Sequence, residues 1–480
     1  MTVRISIRGN PFFHGFSFPS FRFILLSLKG MNEMTQEVRG LMSEGNIWKQ
    51  LILFSVPLVL GNIFQQLYNA VDSMIVGNFV GKEALAAVTS SSPIINLLIS
   101  FFMGLSVGAG VVIARYFGAR DETGLSDSIH TSMCMIVIAG IVMTFAGVLL
   151  TPFILRWIGV PDDVMADSIL YLRIYFYGIL GVMIYNMGSG VLRALGDSRT
   201  PLFFLILSSL INVALDYGFV VWFHMGIAGV AWATLIAQGI SAVLIWALMM
   251  KGNALYRLRF SQLKIHGHIL GEVVRVGLPS GIQNAIVSFS NLIVQSNINA
   301  FGSAAMAGCG AYTKIDGFAI LPAMSYSMAI TTFTGQNLGA GKPQRVRQGM
   351  RACLILTVCT SLLISALLFL FGDAALRIFS NDPQVLFYGH TMLTLLAPGY
   401  FLLAISHAVS GVLRGANRAA SAMVIIIACW CGLRMAWIML TVSMLFHSIE
   451  TVLLGWPLSW LVSTVIFILY YRRGSWLQES

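Results

Sequence analysis

Charge is what this sequence has least of. Only 10 % of its 480 residues are Asp, Glu, Lys or Arg, against roughly 25 % in an ordinary soluble domain. With 57 % hydrophobic residues and a mean hydropathy of +0.82, the chain cannot cover a water-facing surface, and lipid is the solvent that fits it. Cysteine is scarce as well. Cys134, Cys309, Cys353, Cys359, Cys429 and Cys431 all lie in or beside apolar runs, and none forms a CxxC pair. Structural disulfides and metal clusters are therefore not expected, and the six read as small buried residues. No GxxxxGK[ST] sequence is present, which argues against ATP-driven work by this chain alone. No catalytic constellation stands out either, so an enzyme is not expected, and a receptor is a remote alternative.

What is there in abundance is the long apolar run. Twelve are found, near residues 47–78, 85–117, 125–152, 163–190, 200–223, 227–250, 273–301, 305–338, 346–372, 384–411, 419–445 and 450–471; each is long enough to span a bilayer as a helix. The net charge of +10 comes from basic residues that recur between these runs rather than from one patch. Their expected partner is the lipid headgroup layer, not nucleic acid. Loops after even-numbered runs and the C-terminal tail hold seventeen Lys and Arg, whereas loops after odd-numbered runs hold only Lys82, Arg156 and Arg377. The positive-inside rule then places the even loops and both termini in the cytoplasm.

Residues 1–45 mix Arg, His, Pro and scattered Phe, have no stretch long enough to span, and lack a convincing signal-peptide cleavage site. This extension is expected to be disordered and without a functional part. The remainder repeats itself. Ser189-Gly-Val-Leu-Arg193 recurs as Ser410-Gly-Val-Leu-Arg414 at an offset of 221, which also pairs Gly81 with Gly302 and Gly118 with Gly339. An offset of 222 pairs Pro57 with Pro279, Asn62 with Asn284 and Asn69 with Asn291. The chain thus reads as an all-α integral membrane protein of two homologous six-helix lobes. The N-lobe covers 46–250, a cytoplasmic linker 251–271, the C-lobe 272–472 and a tail 473–480. Both lobes cross in the same direction, so a substrate cavity is expected between them.

Ionisable groups at membrane depth are costly and point to function. Asp72 in helix 1 lies on one stripe with Gln65, Tyr68 and Asn69, spaced at helical intervals. Asn212 and Asp216 lie four apart in helix 5, and Thr234 lies in helix 6. If these helices pack together, two carboxylates, an amide and a hydroxyl converge, a set suited to sharing a proton or binding a small hard cation such as Na⁺. The competing reading is that they only hydrogen-bond the helices together. The second half does not repeat this set, since Val294 stands where Asp72 stands in the first. There, Lys314, Asp316 and Arg434 could form a charge-compensated group. His390 and His407 read as packed or hydrogen-bonded rather than as ligands.

Tyr68-Asn-Ala-Val-Asp72-Ser-Met-Ile-Val-Gly77, Val191-Leu-Arg-Ala-Leu-Gly-Asp197, Asn212-Val-Ala-Leu-Asp216 and Gly335-Gln-Asn-Leu-Gly-Ala-Gly341 together resemble the MATE (multidrug and toxic compound extrusion) family. The resemblance runs from about residue 43 to 472. It implies the MATE fold of twelve transmembrane helices, a bacterial plasma-membrane location, a monomer, and no cofactor. It also implies antiport of cationic or amphipathic small molecules against H⁺ or Na⁺, with lipid as the other partner. Asp72, Asn212, Asp216 and Thr234 match the family's N-lobe cation site, and Gln65, Tyr68 and Asn69 are expected to face the substrate cavity. Acids found in helices 7 and 10 of the NorM-like branch are missing here, so the pattern is similar to the DinF-like branch, with no coupling ion expected in the C-lobe. A flippase for lipid-linked glycans, from the same wider superfamily, is the alternative; it should show a markedly cationic central cavity.

Overall fold

The computed structural model describes residues 42–251, 257–444 and 448–474, and among them the backbone is helical or in short turns. Long apolar stretches in lipid have no water to satisfy their backbone polar groups, and the helix satisfies them internally. Twelve helical rods result: α1 (Ile47–Val80), α2 (Lys82–Gly118), α3 (Glu122–Trp157), α4 (Asp162–Ala194), α5 (Arg199–Trp222), α6 (Gly226–Lys251), α7 (Gly267–Asn299), α8 (Ser303–Ala319 and Leu321–Gly339), α9 (Pro343–Arg377), α10 (Pro383–Gly415), α11 (residues 419–444) and α12 (Ile449–Arg473). Ten of these are long and apolar enough to cross a membrane on length and composition alone. The other two, α7 and α8, are polar for a reason of position. α7 carries Gln283, Asn284, Asn291, Gln295 and Asn297, while α8 breaks at Ile320, ahead of Pro322, into pieces of 17 and 19 residues. α7 packs chiefly against α2, and the second piece of α8 against α1, α2 and α10. Gly81 and Gly302 open α2 and α8 with φ of 125° and 100°, a conformation only glycine adopts readily, which explains why both repeats keep glycine there.

Helices α1–α6 and α7–α12 form two lobes that exchange the ends of their first helices. Leu51, Phe54 and Leu58 of α1 belong to the apolar core of the second lobe, and Ile269 and Val273 of α7 belong to the core of the first. Between the lobes, Gly104 and Gly108 of α2 lie against Gly281 and Gly277 of α7 so closely that a Cβ on any of the four would overlap backbone. Small residues permit such approach inside a membrane. Asn62 donates to Ser325 Oγ at 3.3 Å, and its repeat partner Asn284 donates to the Ser100 carbonyl at 3.4 Å.

These contacts lie in the half of the molecule where the basic loops end, here termed the basic end. At that end Gly118 abuts the backbone of Gln336, and Gly339 abuts the backbone of Arg115. The segment Met42–Gly45 crosses the same junction. Met42 N–H donates to Gln336 Oε1 (2.7 Å), and Asn337 Nδ2 donates to the Met42 carbonyl (3.2 Å). Lys342 Nζ donates to the Ser43 carbonyl (2.9 Å), and Arg345 donates to the Glu44 and Gly45 carbonyls (2.9 and 2.8 Å). Arg120 pairs with Glu44 at 2.9 Å. The expectation of disorder for 1–45 therefore fails at its last four residues; residues 1–41 lie outside the described residues. The linker is anchored too: Arg259 N–H donates to His130 Nε2 (3.0 Å) and His266 N–H to Thr131 Oγ1 (3.2 Å).

Candidate functional site

Helices α1, α5 and α6 pack together inside the first lobe and bring Asp72, Asn212, Asp216 and Thr234 to one place. Asn212, Asp216 and Thr234 are buried. The carboxyls of Asp72 and Asp216 stand within hydrogen-bonding reach of each other. In the orientation that satisfies both ends of its amide, Asn212 Nδ2 donates to Asp216 Oδ2 (2.9 Å) and Oδ1 accepts from the Thr234 N–H (3.2 Å). One oxygen of each acid, Oδ1, is buried without a partner, and among the described residues no ion pair reaches either acid. Two unit charges about 4 Å apart repel by about 4 kcal/mol at an effective dielectric of about 20. A proton held between the carboxyls would relieve that repulsion, as would a small cation taking their free oxygens with the Thr234 hydroxyl.

Further residues and backbone features surround the acids. Tyr68, expected in the substrate cavity with Gln65 and Asn69, directs its hydroxyl to the Thr234 side chain within electrostatic reach of both acids. Tyr171 and Tyr175 of α4, four residues apart, are buried beside it within electrostatic reach. An apolar cluster that includes Ile75, Val76, Tyr171, Val220 and Ile227 packs beside the acids, toward the end away from the basic one. The helices also widen at this level. A π-helical turn at Val76–Val80 begins four residues after Asp72, and another at Gly218–Trp222 begins two residues after Asp216; such turns are frequent at functional sites. The tyrosine spacing was legible; the π turns have no sequence signature. Of the remaining cavity residues, Asn69 is exposed, and Gln65 Nε2 lies 3.5 Å from its Oδ1.

In the second lobe, the charge-compensated group of Lys314, Asp316 and Arg434 does not form. Asp316 accepts a hydrogen bond from Tyr400, which also bonds Tyr312 (2.7 Å). Arg434 is buried among Ser459 (3.0 Å), Asn291 Oδ1 (3.1 Å) and the Trp456 ring (5.4 Å), directly after a third π-helical stretch, Ile427–Leu433. Lys314 is exposed. Neutral partners satisfy Asp316 and Arg434 separately, so no ion pair draws the three together. His390 lies 2.7 Å from Asp373, and His407 packs edge-on against Trp430.

Comparison with known proteins settles the family. The MatE family profile matches residues 57–218 and 279–440, two segments displaced by the same 222 residues that relate Pro57 to Pro279. The chain belongs to the MATE family. This MATE protein is 31 % identical over 436 residues to the probable multidrug resistance protein YpnP of Bacillus subtilis, covering 90 % of this chain and 97 % of that one. It is 24 % identical over 391 residues to the FAD transporter of Shewanella oneidensis, covering 80 % and 86 %. Among solved structures, it shares its fold with a multidrug resistance MATE transporter in an outward-facing conformation. The TM-score there is 0.86, at 23 % identity, over 92 % of this chain and 99 % of that one. All-α architecture and a multi-pass membrane location follow from membership.

Proposed function

We propose that this MATE protein is an efflux antiporter that exports amphipathic small molecules, including multidrug-type compounds, in exchange for H⁺ or Na⁺. The observation that carries this reading is the Asp72–Asp216 pair, with its free buried oxygens and no ion pair to either acid among the described residues. Occupation of the pair by a proton or Na⁺ removes a repulsion inside the first lobe. It therefore biases the lobe arrangement by the difference in ion affinity between two states. With the basic end in the cytoplasm, lobes joined at that end correspond to an outward-facing state. The name of the Bacillus relative supports drug-like cargo, and that of the Shewanella relative extends the family's cargo to a dinucleotide, which bears phosphate. The test is exchange in proteoliposomes of the full chain. Ethidium movement driven by an imposed pH or Na⁺ gradient supports the reading, and no movement under either gradient refutes it.

A further inference from the structure

The first piece of α8, Ser303–Ala319, has two faces of opposite character. Ala305, Cys309 and Tyr312 are buried, Asp316 bonds Tyr400, and Gly308 lies against the Val385–Gly389 backbone of α10. On the other face Met306, Gly310, Thr313, Lys314 and Gly317 share one arc of the helix. Met306, Thr313 and Lys314 there are exposed, and a Cβ on Gly310 would meet nothing within 4 Å. A Cβ on Gly317 would stand 3.4 Å from Gln66 Nε2 of α1, so this arc looks across the gap toward the first lobe rather than into lipid. Glycine and threonine suit such a wall; a lipid-facing arc would carry large apolar side chains.

Lys314 stands on that arc, about 16 Å along the helix from Ser303, and it has no hydrogen bond or ion pair among the described residues. An ammonium at such depth is costly without a partner. The scaffold does not demand it, because the offset of 221 that relates Gly302 to Gly81 places Pro93 at the matching position of α2. The opposing wall offers amides, Gln66 and the exposed Asn69, while Asp72 and Asp216 are turned inside the first lobe. One cation facing neutral amides attracts an anion.

We propose that Lys314 recognises an acidic group, carboxylate or phosphate, on the cargo, so that anionic and zwitterionic amphiphiles enter the cleft as well as cations. This rests on the efflux reading for the word cargo, but the site itself is tested without any gradient. Carboxyfluorescein and ethidium are titrated against the purified full chain by fluorescence polarisation, with thermal melts confirming folded protein. In Lys314→Gln, carboxyfluorescein affinity is expected to fall about tenfold and to lose its salt dependence, while ethidium binds as tightly or tighter. Lys314→Arg should retain both. Repeating the titration in nanodiscs separates the sources of the anion. Competition by phosphatidylglycerol that Lys314→Gln removes assigns the acidic group to a lipid headgroup, and no competition assigns it to soluble cargo. The proposal is overturned if carboxyfluorescein does not bind, if Lys314→Gln binds it unchanged, or if that variant weakens both probes equally. A loss of gradient-driven exchange with this binding pattern intact would refute antiport and leave the anion site standing.

Discussion

Gly118 and Gly339 hold the same position in the two repeats, and each packs against the backbone of the residue that is the other's neighbour by symmetry. Gly118 meets Gln336, and Gly339 meets Arg115; Arg115 and Gln336 are themselves related by the offset of 221. The duplication thus built one self-complementary contact at the basic end, in the way a two-fold dimer would.

Any side chain at either glycine forces the ends of α2 and α8 apart. Gly118→Val and Gly339→Val are each expected to shift the lobes away from closure at the basic end. Spin labels at Thr123→Cys and Arg347→Cys, both exposed, should report longer distances in either variant than in the parent. Unchanged distances would show that the glycines do not set closure.

The Met42–Gly45 segment across the junction makes a second prediction. Arg345 donates to the carbonyls of Glu44 and Gly45 and to Gln50 Oε1. Losing hydrogen bonds to a charged donor costs about 2 kcal/mol, or roughly 25-fold in local opening. Ser43 is 4 % exposed, so alkylation of Ser43→Cys from the basic end should be slow, and Arg345→Ala should accelerate it by about that factor. Residues 42–45, read from sequence as the end of a disordered extension, would then be part of the closing device.

How much of this was visible in the sequence depended on periodicity. Runs of apolar residues located all twelve helices, because lipid leaves the backbone no alternative, and the repeat offsets located the two lobes. The Asp72, Asn212, Asp216 and Thr234 set was legible because buried acids are rare enough to be noticed singly. Lys314, Asp316 and Arg434 were misjudged together, since helical position alone does not tell which way three charges turn. Asp316 found Tyr400, and Arg434 found Ser459 and Asn291, partners that look unremarkable as letters. The Met42–Gly45 segment was missed because four residues before a helix carry no periodic pattern.

Asp316 provides a control for the account. Its carboxyl accepts from Tyr400 within the second lobe, a local tie rather than a paired-acid site. Asp316→Asn is expected to lower stability by about 2 kcal/mol, read as a lower melting temperature in detergent, while leaving the number of ions exchanged per substrate unchanged.

The central claim is that ion coupling resides in the first lobe, and ion-to-substrate stoichiometry in proteoliposomes tests it most directly. Asp72→Asn and Asp216→Asn each remove one acid of the pair with little change in shape, and so remove the repulsion that a proton or Na⁺ relieves. Both variants are predicted to fold, to bind ethidium, and to show no ion movement linked to it. Asp316→Asn is predicted to keep the parent's ratio. Parental stoichiometry in both first-lobe variants, or its loss in well-folded Asp316→Asn, would contradict the account.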